Sequence, residues 1–128
     1  MAINTAVYRA LRGRGMSRLG ILTTVGAKTG EVRTIPLASF DAGKGRWWVV
    51  ASKGGAIGHP AWYVNLAKNP DKVHFEAGGK RYRVTPRSLQ GAEREAAWKV
   101  IVAAASNFAG YQRATDREIP VVLLTPEG

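Results

Sequence analysis

Alternation of apolar and polar positions predicts three short strands in the first half of the chain. Residues 19–25, 32–40 and 46–51 are rich in β-branched and aromatic side chains, and short glycine-containing turns separate them. Runs of this kind indicate strands, and short connections favour antiparallel pairing. The run at 46–51 is apolar at successive positions, which predicts a central strand. Pro36 predicts an edge or a bulge in the second strand, because proline cannot donate to the hydrogen-bond ladder.

The second half mixes strand and helix patterns. Residues 72–76 and 80–85 flank a glycine pair, which predicts a hairpin, and residues 119–125 predict a closing strand. Helical spacing of apolar residues occurs at 3–12, 60–68 and 91–105, and 111–115 is a turn or a last helical piece. Pro60 suits the first position of its helix, and Asn69-Pro70 ends that helix. The face of the 91–105 helix expected to be buried consists of Ala92, Ala96, Ala97, Val100, Ile101 and Ala104.

About six strands, two or three helices and no strand–helix alternation predict an α+β fold, a small antiparallel barrel with helices outside. The length of 128 residues suits a single domain, 1–128, in which residues 1–18 form an N-terminal helix or extension. No apolar run reaches the roughly 20 residues needed to cross a bilayer, and no signal-peptide pattern begins the chain. We therefore expect a cytoplasmic protein.

Charge narrows the choice of partners. The chain carries 19 Lys and Arg against 9 Asp and Glu, a formal charge of +10, and it has no cysteine. Such a balance favours a polyanionic partner: nucleic acid, an acidic membrane surface, or a phosphorylated and carboxylated small molecule. A basic but merely solvated surface is the simpler alternative. The missing cysteines exclude thiol catalysis, thiolate metal sites and disulfides.

Two basic glycine turns are the candidate anion-binding elements. The first, at residues 26–30, offers backbone N–H groups and Lys28, with Arg33 close behind; the second is Ser52-Lys53-Gly54-Gly55. Arginine can hold phosphate oxygens with its planar fork, and successive N–H groups at a glycine pair can cradle an anion. The first turn is not a Walker A loop, because Ala27 separates glycine from lysine and a strand follows. Plain basic hairpins explain both turns about equally well.

Aromatic residues and histidines supply fewer candidates. Trp62 and Tyr63 follow the second turn, either as core residues or as walls of a pocket. Tyr111 has a phenol that can donate a proton or a hydrogen bond in a pocket, or it is simply a surface aromatic. His59 and His74 lack acidic residues at metal-ligand spacing, so no metal is expected. No serine-hydrolase motif, carboxylate pair or dinucleotide fingerprint occurs.

Taken together, these motifs resemble the deazaflavin-dependent nitroreductase family over roughly residues 19–126. The resemblance lies in the order and spacing of five segments. They are residues 22–33 (LTTVGAKTGEVR), 51–55 (ASKGG), 59–66 (HPAWYVNL), 69–70 (NP) and 115–121 (TDREIPV). It implies a split β-barrel, the cofactor coenzyme F420 with its phosphodiester and polyglutamate tail, and hydride transfer to quinones, activated alkenes or nitro compounds. Family members typically occur in actinobacteria.

The same resemblance implies roles for individual residues. Lys28 and Arg33 would hold the phosphate and the acidic tail, with Thr34 and Pro36 flanking that groove. The residues Ser52, Lys53, Gly54 and Gly55 would supply donors near the phosphate and the ring. The ring pocket would be shaped by Trp62, Tyr63 and Asn65. Tyr111 would lie over the substrate and protonate it, unless water does so. Phe108 stands where relatives often have a second tyrosine, so the substrate range, including nitro compounds, is open.

Two alternatives stay beside this expectation. One is a flavin mononucleotide or haem protein with the same barrel. The other is a small basic barrel that stacks nucleic-acid bases on Trp47, Trp48 and Tyr82, although adjacent tryptophans in a strand point to opposite faces. We expect a small-molecule hydride acceptor and no nucleic acid. A homodimer and a weak, peripheral contact with the inner membrane surface are left open, as are the physiological acceptor and the pathway.

Overall fold

The computed structural model describes residues 17–52 and 58–127. Within these ranges the chain forms six strands and three helices. The strands are β1 (Ser17–Val25), β2 (Val32–Gly43), β3 (Arg46–Val50), β4 (His74–Ala77), β5 (Lys80–Ser88) and β6 (Val121–Pro126). The helices are α1 (Ala61–Lys68), α2 (Gly91–Ala104) and α3 (Asn107–Arg113). The helix predicted at residues 3–12 and the glycine pair at 54–55 lie outside the described residues.

The six strands close into an antiparallel barrel in the order β1-β2-β3-β6-β5-β4. The longest ladder joins β1 to β2 and runs without interruption from the Ser17–Phe40 pair to the Val25–Val32 pair. β3 lies between β2 and β6, as its apolar pattern predicts. The predicted α+β barrel with outer helices is therefore confirmed.

The seam between β2 and β3 is much shorter than β2 itself. β3 pairs with β2 only over Phe40, Asp41 and Gly43, and the register shifts between Asp41 and Gly43. Pro36 pairs in register with Ile21 of β1, so the bulge lies at the far end of the strand and the edge interpretation of Pro36 is the correct one. No described strand pairs with the other edge of residues 32–39. The barrel is thus open along the first part of β2.

Two apolar clusters hold the elements together. Trp47 points into the barrel, where its ring lies 5.1 Å from that of Phe75 and 5.2 Å from that of Tyr82. Trp48 packs on the other side of the sheet, in the cluster beneath α2 and α3. The two tryptophans face opposite ways, as expected for neighbours in a strand. The barrel interior contains Trp47 and Tyr82, so these rings form no stacking surface for bases.

The buried face of α2 differs from the predicted one. Ala97, Ile101 and Ala104 are buried as expected, but the fourth buried residue is Arg94. The predicted members Ala92, Ala96 and Val100 are exposed. The alanines fit two overlapping faces of the helix. The pattern alone favours the face without Arg94, because cations are rarely buried without partners.

Helix α3 begins earlier than the predicted helical piece at 111–115. It starts at Asn107, which places Phe108 in its first turn. The Phe108 ring lies edge-on to Phe40, with ring centroids 6.0 Å apart. This contact anchors α3 to the outer cluster and carries Phe108 to the mouth of the opening beside β2.

Candidate functional site

A cavity of about 1030 Å³ lies beside the first part of β2, where β3 does not pair with it. Its walls come from the β1–β2 turn, the part of β2 that does not pair with β3, the end of β3, helix α1 and the first turn of α3. The polar and charged lining residues lie around the turn, on helix α1 and just after β3: Thr24, Lys28, Thr29, Arg33, Thr34, Ser52 and Asn65. The apolar lining includes Ile35, Leu37, Trp62, Val64 and Phe108. Substrate-sized pockets in proteins have this mostly apolar lining with a few placed polar groups.

The β1–β2 turn presents side chains to the cavity, and most of its backbone is used internally. The Gly26 N–H donates to the Glu31 carbonyl at 2.7 Å, and the Gly30 N–H donates to the Gly26 carbonyl at 3.0 Å. The Glu31 N–H donates to Thr29 Oγ1 at 3.2 Å. Gly30 has a φ of +72°, a conformation that glycine adopts without strain. These contacts use the N–H groups of Gly26, Gly30 and Glu31 within the turn, and Lys28 is its charged donor at the cavity.

Asn65 fixes the position of this turn from helix α1. Its Oδ1 accepts the Ala27 N–H at 3.0 Å, and its Nδ2 donates to Thr24 Oγ1 at 3.4 Å. One turn later, Asn69 Nδ2 donates to the Val25 carbonyl at 3.3 Å. Asn65 was expected to shape the ring pocket. It does line the cavity, and these contacts show that it also joins helix α1 to the end of β1.

Arg33 lies at the exposed end of the cavity. Its guanidinium is 3.0 Å from the Glu31 carboxylate, and both side chains are more than half exposed. An exposed ion pair of this kind contributes about 0–1 kcal/mol, so it is easily exchanged for another anion. Arg33 and Lys28 together make this end of the cavity electropositive, as the sequence predicts.

The two neighbouring aromatic residues of α1 have different surroundings. Trp62 is buried in the barrel core and lines the cavity, so it satisfies both interpretations of the sequence. Tyr63 does not line the cavity; its hydroxyl lies 3.1 Å from Ser88 Oγ, and its ring packs 4.8 Å from that of His59. Pro60 is the N-cap of α1, one position earlier than predicted.

The remaining predicted site residues are distributed as follows. Ser52 and Thr34 line the cavity, and Pro36 does not. Phe108 lines it, whereas Tyr111 lies behind Phe108 with the two rings edge-on, 5.7 Å apart. Lys53, Gly54 and Gly55 lie outside the described residues. The structure therefore brings Lys28, Arg33, Thr34, Ser52, Trp62, Asn65 and Phe108 around one cavity.

Two arginines with structural contacts were not singled out from the sequence. Arg117 donates from its guanidinium to the carbonyls of Ala51 and Ser52, the two residues that follow β3. Arg94 is 4% exposed and donates to the Ile119 carbonyl at 2.7 Å. No local pattern marks either contact, because these carbonyl acceptors lie 25 or more positions from the arginines in the chain.

Neither metal-binding clusters nor membrane spans emerge from the described part of the chain. No three His, Asp or Glu side chains gather there as ligands for an ion. None of the helices in residues 17–52 and 58–127 is long and apolar enough to cross a membrane.

The cavity suits an anion joined to a flat apolar group. Lys28 and Arg33 supply two cations at one end, where charge-assisted hydrogen bonds to phosphate or carboxylate oxygens can form. Trp62, Leu37 and Phe108 supply an apolar surface elsewhere in the same space. A phosphorylated cofactor with an acidic tail and a planar ring system matches both halves.

Comparisons with known proteins agree with this geometry. The family model described as F420H(2)-dependent quinone reductase matches residues 1–126. A protein of Mycobacterium tuberculosis strain H37Rv named F420H(2)-dependent quinone reductase is 37% identical over 134 aligned positions, which cover 98% of this chain and 89% of that protein.

Two solved structures are also similar. One, titled as an F420-H2 dependent reductase (FDR-A), is 43% identical with a TM-score of 0.74, and the match covers 83% of this chain and 92% of that one. The other, titled as a domain-swapped dimer, has the same identity, TM-score and coverage of this chain, and 78% of its own chain is covered. The family match spans nearly the whole sequence and the mycobacterial relative aligns over almost its full length. The chain therefore belongs to the F420H(2)-dependent quinone reductase family.

Proposed function

We propose that this chain binds reduced coenzyme F420 in the cavity beside β2 and catalyses transfer of its hydride to a quinone. The observation that carries the proposal is a single cavity with Lys28 and Arg33 at one end and Trp62, Leu37 and Phe108 along its apolar surface. The family match confirms the predicted oxidoreductase class and supports F420 as its cofactor. It gives no support to the flavin mononucleotide or haem alternative.

The protein's part in the reaction is binding and orientation. When bound, reduced F420 supplies a hydride, which together with one proton converts a quinone to its hydroquinone. Lys28 and Arg33 hold the phosphate and the acidic tail, and Ser52 and Thr34 add hydrogen-bond donors beside them. Trp62 and Phe108 keep the ring region free of water. Lys53, Gly54 and Gly55 are assigned to the cofactor by resemblance alone.

The proton that accompanies the hydride comes from Tyr111 or from water. The Tyr111 ring packs edge-on against Phe108, which lines the cavity, and Tyr111 itself does not line it. Phe108 supplies an apolar wall where a second hydroxyl would otherwise stand. We therefore favour quinones over nitro compounds as acceptors.

The decisive experiment is a fluorescence titration with oxidised and reduced F420. We expect saturable binding at micromolar concentrations, weakened in Lys28→Ala and Lys53→Ala and unchanged in Lys72→Ala, an exposed lysine outside the cavity. Absence of binding by the unmodified protein overturns the proposal. Unchanged affinity in Lys53→Ala removes only the role given to that residue. A panel of quinones, enones and nitro compounds then ranks the acceptors.

The proposal also covers the oligomeric state of the protein and its contact with a membrane surface. A homodimer is supported by the domain-swapped relative and by exposed Leu19, Ile21 and Val32 on β1 and β2. Size-exclusion chromatography with light scattering tests it, since a monomer at all concentrations excludes a stable dimer. Peripheral contact with an anionic membrane surface is supported only by the charge of +10. Co-sedimentation with anionic and neutral vesicles tests that contact.

A further inference from the structure

Arg117 connects the two ends of the segment that runs from β3 to α1. Its Nη2 donates to the Ser52 carbonyl at 2.9 Å, and Nη1 and Nη2 both lie 3.3 Å from the Ala51 carbonyl. Nη1 also lies 3.3 Å from Nδ1 of His59, which comes after residues 53–57 in the chain. Ser52 comes directly before this segment and His59 directly precedes the N-cap of α1. One guanidinium therefore touches both flanks of the second basic turn.

The chemistry of these contacts requires a planar fork with several donors. Two carbonyl oxygens and, in the tautomer that accepts from Arg117, one imidazole nitrogen are acceptors lying in different directions. Arginine presents five N–H donors in fixed geometry, whereas the lysine ammonium is a compact point charge on a flexible stem. A lysine at position 117 would keep the charge and lose this simultaneous contact.

The backbone of Arg117 is itself held from two sides. Gln112 Nε2 donates to the Arg117 carbonyl at 2.8 Å, and the Arg117 N–H lies 3.4 Å from Thr115 Oγ1. Gln112 Oε1 accepts the Ile119 N–H at 2.9 Å and a bond from Arg94 at 3.2 Å. The anchor therefore continues through α3 into the buried guanidinium of α2.

This network joins the parts of the cavity that are assigned to different ligands. Ser52, whose carbonyl Arg117 holds, lines the cavity on the cofactor side. Phe108 lies on α3, the helix that carries Gln112, and lines the cavity on the acceptor side. Arg117 does not line the cavity, so the contacts give it no direct hold on a ligand.

We infer that Arg117 is a positioning residue, which fixes the end of β3 and the start of α1 relative to α3 and so sets the cofactor-binding geometry. The inference rests on the proposed function for its consequence, since F420 is the ligand whose affinity should respond. In this role Arg117 orients the backbone of Ala51 and Ser52, whereas Lys28 and Arg33 supply the charge attraction for the ligand.

The test compares Arg117→Lys, Arg117→Ala and Arg113→Ala in the full chain. We expect both Arg117 variants to weaken F420 binding by about tenfold or more, because charge-assisted hydrogen bonds are lost in each. Arg113 is exposed at the end of α3, so Arg113→Ala removes the same charge without touching the network. If Arg117→Lys binds F420 like the unmodified protein, Arg117 acts through its charge and the inference is wrong.

Chemical rescue separates positioning from general destabilisation. Added guanidinium at millimolar concentration should restore much of the F420 affinity of Arg117→Ala, and urea, a neutral molecule of similar shape, should not. Guanidinium should leave Arg117→Lys and Arg113→Ala unchanged. Failure of guanidinium to rescue, with the variant still folded by circular dichroism, contradicts the inference.

A measurement without cofactor keeps the inference distinct from the proposed function. In Arg117→Ala, amide hydrogen exchange should rise in peptides containing Ala51, Ser52 and His59, while peptides from β4 and β5 stay unchanged. If the unmodified protein fails to bind F420 but this exchange pattern appears, the proposed function is wrong and the positioning role stands. If exchange is unchanged near Ala51 and Ser52, the positioning role is wrong.

Discussion

At the residue scale, charge pairs around the cavity determine how tightly an anion is held. Arg33 is occupied by Glu31 at 3.0 Å, and any phosphate or carboxylate that binds Arg33 must replace that carboxylate or share the guanidinium with it. If the cofactor binds Arg33 as proposed, Glu31 competes with it for the guanidinium. Its backbone, by contrast, closes the turn through Gly26.

Removing the Glu31 charge should strengthen cofactor binding. We expect Glu31→Gln to tighten F420 affinity by roughly two- to fivefold, the range that corresponds to an exposed ion pair. Arg33→Ala should weaken affinity, and the double variant should resemble Arg33→Ala if the Glu31 effect passes through Arg33. Fluorescence titration measures all three. Weaker binding in Glu31→Gln would show that the carboxylate supports the turn and does not compete.

Tyr111 and Phe108 should differ in their effect on turnover. Because Tyr111 lies behind Phe108, we expect Tyr111→Phe to lower kcat by less than the roughly hundredfold loss that removing a general acid causes. Tyr111→Ala removes the ring that supports Phe108 and should raise the quinone KM. Steady-state kinetics with saturating F420 separate the two constants. A hundredfold fall in kcat for Tyr111→Phe would identify the phenol as the proton donor.

The residues that reach the cavity are predictable from the sequence only where local chemistry or a family pattern marks them. Lys28 and Arg33 stand beside a glycine turn, and the turn does open onto the cavity. Arg94 and Arg117 look like any solvated arginine in the sequence. Their contacts with Ile119 and Ser52 exist only after α2, α3 and β6 have packed, and no nearby residue announces them.

At the element scale, close packing between strands depends on single small residues. A side chain at Gly20 of β1 would place its Cβ 2.1 Å from Cζ of Phe75, a fully buried ring in β4. Glycine at this position allows the Phe75 ring to lie across β1. The short β1–β4 ladder, from Ile21–Glu76 to Thr23–His74, continues directly from that contact.

Gly20→Ala should destabilise the barrel. Overpacking a filled core costs about 1–3 kcal/mol of the free energy of unfolding, and a fully buried ring has little room to move. Urea denaturation followed by tryptophan fluorescence measures the change. Arg18→Ala, an exposed position on the same strand, is the matched control and should stay within about 0.5 kcal/mol. Equal stability of Gly20→Ala would mean that Phe75 has another place to pack.

The free energy of unfolding should fall in mild acid because of His74 in the β4–β5 hairpin. Partial burial lowers the pKa of His74 below 6.5, and Arg81 and Arg83 on the paired strand lower it further. The unfolded chain therefore binds a proton near pH 6.5 that the folded hairpin resists, so the free energy of unfolding falls as pH decreases through that value. Denaturation curves at intervals between pH 7.5 and pH 5.5 should show this fall, reduced in His74→Gln. An identical fall in the variant would assign it to other groups.

Strand positions were predictable because their period of two and their turn residues are local signals. The errors lie where tertiary contacts decide. The alanine-rich α2 fits two overlapping faces, and burial of Arg94 over the Trp98 ring, 4.4 Å from its centroid, selects one of them. The start of α3 at Asn107 likewise depends on the contact of Phe108 with Phe40.

At the scale of the whole molecule, the excess of positive charge should control how F420 is recruited. A chain of charge +10 attracts a ligand with a phosphate and several carboxylates over distances of about 10 Å at moderate ionic strength. Added salt screens that attraction and would also weaken the contacts proposed between the ligand and Lys28 and Arg33.

F420 affinity should therefore fall as salt rises. Between about 0.05 M and 0.5 M KCl, we expect the dissociation constant to increase mainly through slower association, because screening acts on the encounter. Stopped-flow fluorescence measures the association and dissociation rates separately. Quinone KM, which depends on the apolar part of the cavity, should change little. Salt-independent F420 affinity would contradict an electrostatic hold on the tail.

The edge of residues 32–39 of β2 that lacks a described partner also affects the tendency of the protein to aggregate. A strand edge without a partner is a template on which another chain can add, and natural proteins interrupt such edges with proline or charge. Pro36 pairs with β1 and stands in the middle of residues 32–39, whose other edge has no partner among the described strands; Arg33 precedes it. Pro36 does not line the cavity, but its nitrogen has no hydrogen to donate to an incoming strand and so makes this edge a poorer template. A filled cavity would cover the same edge, so loss of the cofactor and tendency to aggregate are expected to rise together.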